Sequence, residues 1–244
     1  MKYAVLSDVH SNWEALSAAL KEIGKSGVDY ILYLGDTVGY NADPDKCTEK
    51  ISEIADYIVR GNHDKAVAGL MGIDYFNSIA RKAVLWTKNN TSTENLRVLR
   101  DFPAGPLLIK KKYLICHGSP MDEDRYIMSY LDIDESFKYM DSNFPSADIC
   151  FFGHTHVPLI YEENTGLVKL RERVVLDPSK RYLINPGSVG QPRDHNPKGS
   201  FGIFDDKKYV YRYLRFSYPI SITQDKIIRA GLPEELALRL NAGY

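Results

Sequence analysis

Continuous apolar runs of strand length recur along the chain, and each ends in a polar, glycine-bearing or histidine-bearing turn: YAVLSDVH, YILYLGD, YIVRGNHD, YLICHGS, ICFFGHTH and YLINPGS. Runs without polar alternation suit strands covered on both faces. Between the early runs the apolar positions shift to helical spacing. Asn12 stands where an N-cap would open WEALSAALKEI, in which Leu16, Leu20 and Ile23 share a face. Asp43 followed by Pro44 makes a cap and first-turn pair for a helix through Ile54. The chain up to Arg60 therefore reads β-α-β-α-β.

From Asp74 to Arg100 the spacing predicts two helices, the second opened by the capping-box stretch Thr91-Ser-Thr-Glu94. Beyond Gly153 the character changes. Segments PLIYEE, LVKLRERVVL, RYLIN, SFGIFD and KYVYRYLRF are rich in β-branched and aromatic residues between short turns, which predicts a largely antiparallel sheet. The stripe Tyr209, Tyr211, Tyr213 has strand spacing and reads as one sheet face. A helix from about Glu234 to Asn241 closes the chain. No repeat, low-complexity tract or linker divides it, so one domain over residues 1–244 is expected.

Composition narrows the function classes. With 44% hydrophobic and 26% charged residues the chain has an ordinary globular balance, and its formal net charge of -1 provides no bulk basic field for an extended nucleic-acid surface. Any anion must be recognised locally. The opening MKYAVLSDV is interrupted by Asp8 before it could serve as a signal segment, and no membrane-length apolar run occurs, so a soluble, cytoplasmic protein without a membrane partner is expected. Cys47, Cys116 and Cys150 are odd in number and form no CxxC, and Cys116 and Cys150 read as buried small apolar side chains.

The histidines are the informative residues. Five of the six, His10, His63, His117, His154 and His156, sit at the exits of apolar runs, where Asp8, Asp36, Asn62 and Asp64 also stand. Oxygen donors and imidazoles are thus delivered to one edge of the expected sheet, and in open α/β folds sites form outside the carboxyl ends of strands. His195 falls instead in a Gly/Pro-rich loop and is expected to be exposed.

Asp8-x-His10, Gly35-Asp36, Gly61-Asn62-His63-Asp64, His117-Gly118 and Gly153-His154-Thr155-His156 together resemble, in order and spacing, the calcineurin-like metallophosphoesterase superfamily. Asn185-Pro-Gly-Ser-Val-Gly-Gln-Pro-Arg-Asp194, with Gly39-Tyr40, is similar to its compact bacterial and archaeal branch, described as phosphodiesterase-like. One departure matters. Asp36 is followed by Thr-Val-Gly-Tyr, not by the Asp-Arg-Gly continuation of the protein phosphatases and diadenosine tetraphosphatases, which argues against a phosphoprotein substrate.

The resemblance implies an α/β fold (α+β by some schemes), a four-layer αββα sandwich of two mixed β-sheets flanked by helices. It also implies two divalent transition-metal ions, manganese first, with iron, cobalt, nickel or zinc also suited to the nitrogen and oxygen donors. One ion would take Asp8, His10, Asp36 and His156, and the other Asp36, Asn62, His117 and His154. Such a pair, about 3.5–4 Å apart, would share an attacking hydroxide and clamp a phosphate. His63 would protonate the leaving group, with Asp64 fixing its tautomer and raising its pKa. The expected activity is that of a phosphodiesterase on a small phosphate-ester or nucleotide-type substrate. Two other readings stay open: a phosphomonoesterase or nucleotidase, and a metal-binding interaction scaffold like the retromer subunit of this superfamily. Candidate substrate contacts are Asn12, otherwise a helix cap, Tyr40, otherwise a packed aromatic, and Arg193, whose planar guanidinium suits phosphate oxygens.

Overall fold

Alternate residues of the first strand, β1 (Lys2–Leu6), enter two different cores. Tyr3 and Val5 face a buried cluster shared by two sheets, while Ala4 and Leu6 face helices. The computed structural model describes residues 1–244 as twelve strands and eight helices. One sheet has the order β3 (Tyr57–Ile58), β2 (Tyr30–Tyr33), β1, β11 (Gly199–Asp205), β12 (Val210–Phe216), β9 (Arg173–Val175). The other runs β4 (Leu107–Ile109), β5 (Tyr113–Ile115), β6 (Ile149–Phe151), β10 (Tyr182–Asn185), β7 (Leu159–Glu162), β8 (Gly166–Val168). Both are mixed: β1, β2 and β3 are mutually parallel, as are β5, β6 and β10, and the remaining pairs are antiparallel.

Aromatic rings fill the space between the sheets. Tyr113 of one sheet stands edge-on to Tyr3 and Phe204 of the other at 5.8 and 5.3 Å between centroids, and Phe151 meets Phe204 at 5.9 Å. Tyr209 and Tyr211 of the predicted stripe are buried in this layer and Tyr213 packs against it. On the outer face of the first sheet lie α1 (Trp13–Gly24), α2 (Pro44–Ile54), α3 (Asn62–Ala68) and α5 (Thr93–Asp101), contributing Leu16, Ile51, Val67 and Leu99. On the outer face of the second, α6 (Tyr130–Asn143) packs Phe137 and Met140 over Leu114, Leu183 and the buried, unpaired cysteines Cys116 and Cys150. A further cluster joins α4 (Ser78–Asn90) to α7 (Ile220–Arg229), α8 (Glu234–Ala242) and Tyr40. The architecture is the four-layer αββα sandwich. No helix is long and apolar enough to cross a membrane.

Several local expectations are corrected. The Asp43 side chain makes no cap bond; it takes the Lys226 ammonium at 2.5 Å, so the opening of α2 is tied to α7. Ser92, not Thr91, caps α5, because Thr91 turns back to donate its hydroxyl to the carbonyl of Thr87. LVKLRERVVL splits: Gly166–Val168 pairs with β7 in one sheet, whereas Arg173–Val175 crosses to pair with β12 in the other. Strand β10, within the region read as antiparallel, lies parallel to β6.

Candidate metal centre

The six parallel strands point their carboxyl ends the same way, and the loops that follow carry the candidate residues. Asp8 and His10 follow β1, Asp36 follows β2, Asn62 opens α3 just beyond β3, His117 follows β5, and His154 and His156 follow β6. Backbone bonds weld these loops together. Asp8 N–H donates to the carbonyl of Gly35, His10 N–H to that of Asp36, and Gly190 N–H to that of Asp8, at 2.9–3.0 Å. Five of these residues, Asp8, His10, Asp36, His154 and His156, hold φ between 48° and 66°, a left-handed conformation rare outside glycine. Each such residue costs of order 1–3 kcal/mol and persists only where its surroundings over-determine it. Close approach needs glycine at two places: a Cβ on Gly61 would fall on the Asp36 carboxylate, and one on Gly153 on the Ser7 hydroxyl.

The result is two buried donor clusters sharing one residue, Asp8, His10, Asp36 and His156 in the first and Asp36, His117 and His154 in the second. Asp36 Oδ2 lies 3.4 Å from His10 Nε2 and 3.3 Å from His117 Nε2, so one carboxylate oxygen faces both. Asn62 Oδ1 is 3.3 Å from His117 Nε2, and Asp8 Oδ1 is 3.3 Å from His156 Nε2.

The donor set fits cations. His10 Nδ1 donates to the carbonyl of Val38 at 3.0 Å and His156 Nδ1 to that of Gln191 at 2.5 Å, which leaves both Nε2 atoms as lone pairs. These lone pairs face one another at 3.1 Å. A proton between them is disfavoured, since burial holds both rings well below the ordinary histidine value. A positive ion satisfies both. The other cluster shows the same demand. Burial acts against charge on His117, yet the Asp36 carboxylate outweighs it and holds the ring up to about 9. His117 Nδ1 donates to the carbonyl of Leu34 at 2.8 Å, so its Nε2 confronts two oxygen acceptors. His154 is turned the other way: its Nε2 meets the carbonyl of Asp124 at 3.1 Å, leaving Nδ1 for the cluster. Burial also pushes the Asp8 carboxyl up to about 7, a cost a neighbouring cation would remove.

Around this cluster the other candidates divide. His63 is buried, edge-on to His10 and Phe76, with its backbone N–H on Asp36 Oδ1 at 2.9 Å and no hydrogen-bond partner at Nδ1. Burial pushes its pKa down to about 4. Asp64 does not hold the His63 ring. Its carboxylate accepts from the backbone amides of Asp36, Thr37, Val38 and Gly61 at 2.8–3.2 Å, because consecutive helical residues point about 100° apart. Tyr40 packs on His10 and His63 at 4.6 and 4.4 Å. Arg193 Nη2 donates to the Tyr40 hydroxyl and to Gln191 Oε1 at 3.4 and 3.1 Å, and after burial its charge is the next cause holding His156 low. His195 is exposed.

Asn12 is committed elsewhere. Its Oδ1 accepts from Ala15 N–H and from the Thr223 hydroxyl, and its Nδ2 donates to the carbonyl of Gly190, bonds that make it the cap of α1 and a brace of the Gly190 loop. Asn12→Ala is therefore expected to cost about 1–2 kcal/mol of stability, as for other N-caps, while kcat per folded molecule holds. Urea unfolding beside steady-state kinetics checks this, and a selective rise in KM would return Asn12 to the site.

Some supporting residues were read in the sequence only as part of a family stretch, or not at all. Asn185 Nδ2 donates to the carbonyl of Gly153, and the Ser188 hydroxyl to that of Asp8, both at 2.8 Å, so the loop from Asn185 braces two donor loops. Lys65, buried beside His63 and Asp64, grips Glu123 and Asp124 at 2.8 and 2.5 Å and fixes the loop that receives His154. For Lys65 a lysine ending the GNHDK block and an acidic run at Asp122-Glu-Asp124 were the only clues.

Comparison with known proteins gives a consistent family. A sequence model described as a calcineurin-like phosphoesterase superfamily domain matches residues 1–208. An uncharacterized protein of Methanocaldococcus jannaschii is 42% identical over 245 aligned residues, 98% of this chain and 97% of that one. The crystal structure of a metallophosphoesterase from Sphaerobacter thermophilus matches with a TM-score of 0.87 at 39% identity over 100% of this chain and 99% of that chain. A hypothetical protein from Pyrococcus horikoshii matches at 0.79 with 20% identity, over 100% and 98%, a likeness of fold.

Proposed function

The chain belongs to the calcineurin-like phosphoesterase superfamily, and from that premise we propose that it is a dinuclear metal-dependent phosphodiesterase, a single domain over residues 1–244. Asp8, His10, Asp36 and His156 would hold one ion, and Asp36, Asn62, His117 and His154 the other, with manganese as first choice. When bound, such ions neutralise phosphoryl oxygens and make an attacking water acidic near neutral pH. The chain's own residues do the rest. Asp36 presents one oxygen to both donor sets, the Nδ1 bonds of His10, His117 and His156 hold each ring in one tautomer, and His63 gives a proton to the departing alkoxide. The observation that carries this reading is the pair of facing Nε2 lone pairs beside a shared carboxylate oxygen, an arrangement that only positive charge relieves.

Preference for a diester is supported by the absence of a guanidinium after Asp36, where Thr37 is buried, and by the room for an organic group beside His63. One observation favours a monoester instead. Arg193 and Arg239 lie 5.8 and 5.9 Å from the Tyr40 ring, and such charges would suit a terminal phosphate dianion. Chelator-stripped protein reloaded with manganese is expected to hydrolyse bis(4-nitrophenyl) phosphate at least about tenfold faster than 4-nitrophenyl phosphate, a difference of about 1.4 kcal/mol in barrier. Stripped protein should be inactive. The reverse ranking would select the monoesterase, and protein holding two ions but hydrolysing neither ester would select a binding scaffold.

A further inference from the structure

Resting on that phosphoesterase reading, we propose that the cavity beside His63 and His154 binds a planar aromatic ring of the leaving group, so that the enzyme selects aryl or nucleoside esters over aliphatic ones. The cavity has a volume of about 380 Å³. That is near the small end of the range for small-molecule sites, roughly 300–1,000 Å³, and suits a single organic group. Both imidazoles bordering it carry a ring. Phe76 stands edge-on to His63 at 4.9 Å, and Tyr126 lies flat on His154 with centroids 3.6 Å apart and planes 25° from parallel. Tyr40 closes a further part of the wall.

Tyr126 is the informative residue. It is 41% exposed, although a tyrosine of its size would be expected to bury its ring in an apolar layer. One face is covered by His154, and the residue borders open space. An incoming ring would extend the stack already begun on His154. Asn77 adds polarity: its Oδ1 accepts from Ala80 N–H, and as an exposed residue it keeps its Nδ2 available to a ligand. That free donor suits a ring with a polar edge. The donor clusters lie next to the cavity through His154 and Asn62, so a phosphate at the centre and a ring in the cavity belong to one ester.

Calorimetry on the manganese-loaded protein with four non-hydrolysable ligands tests this: methylphosphonate, phenylphosphonate, and the methylenephosphonate isosteres of ribose 5-phosphate and adenosine 5′-phosphate. Stacking is expected to make each ring-bearing ligand bind about 10- to 100-fold tighter than its ringless partner. Tyr126→Leu, which keeps apolar cover over His154, and Tyr126→Ala should each bring that ratio to within about threefold. A gain in the adenosine pair alone identifies a nucleobase, and a gain in the phenyl pair alone identifies a plain aryl group. Equal binding with and without the ring overturns the inference while leaving the phosphoesterase reading intact. Failure of all four ligands to bind the loaded protein also overturns the inference, whereas inactivity of that protein toward bis(4-nitrophenyl) phosphate overturns the reading on which it rests.

Discussion

Asp36→Asn is expected to lower kcat/KM for bis(4-nitrophenyl) phosphate by about 10³-fold or more, and to leave a protein that retains its fold but not its second metal ion. The size follows from what the charge does. A divalent ion stabilises developing phosphoryl charge by several kcal/mol, and about 4 kcal/mol corresponds to three decades in rate. Asp36 is the residue both donor clusters share, and its Oδ2 stands 3.4 and 3.3 Å from the two imidazole nitrogens. Burial alone would raise its pKa, but His117, His63 and His10 outweigh that and hold the carboxyl well below the usual range, so it is anionic before any ion arrives. Asparagine preserves the shape and can still accept the His63 amide, which is why the fold should hold. It offers an N–H₂ where a second oxygen is needed. Metal content by elemental analysis, read beside the kinetics, separates the two effects. A variant with two bound ions and activity within tenfold of the parent would end the case for a bridging carboxylate.

The second large effect is at His63. His63→Ala is expected to slow an alkyl diester by about 10²–10⁴-fold, the usual contribution of a positioned general acid, and to slow a 4-nitrophenyl ester much less. A nitrophenolate leaves without a proton; an alkoxide does not. The surroundings sharpen the prediction, because the imidazole has no carboxylate at Nδ1 to raise its pKa and burial holds it near 4. A neutral ring therefore predominates near pH 7, and the negative charge of the bound ester must raise its proton affinity before it can act as an acid. Equal losses for both esters would remove the acid role and leave a packing residue. Both residues would act on the same ester, so the double variant should lose less than the product of the single losses.

How much of this was legible in the chain differs by residue. Strands β5, β6 and β10 could be read from YLI, ICF and YLIN because both faces of each are buried, which makes their sequence apolar without interruption. The start of helix α1 was legible to the residue, since Asn12 caps it and Trp13 begins it. Helix α6 was not foreseen, yet Ser129 and Asp132 form a capping box that pointed to it. Helix α3 is harder. It has seven residues, starts from a glycine without a side-chain cap, and uses Asp64 to hold the distant turn after β2.

The amino-acid sequence by itself determined the early β-α-β-α-β order and the placement of Asp8, Asp36, Asn62 and the candidate histidines at the exits of apolar runs, because burial period and turn chemistry are local. Only the tertiary structure decided which nitrogen of each imidazole is free, since carbonyls of Leu34 and Val38 from the loop after β2, and of Gln191 from the loop after β10, fix the tautomers. It also decided that Asp64 serves backbone amides, that Asn12 bonds Gly190 and Thr223 as well as capping α1, and that Tyr126 lies on His154. Those contacts join residues from different strands and loops. They exist only after two sheets pack and six strand ends meet, and no pattern of neighbours along the chain encodes that distance.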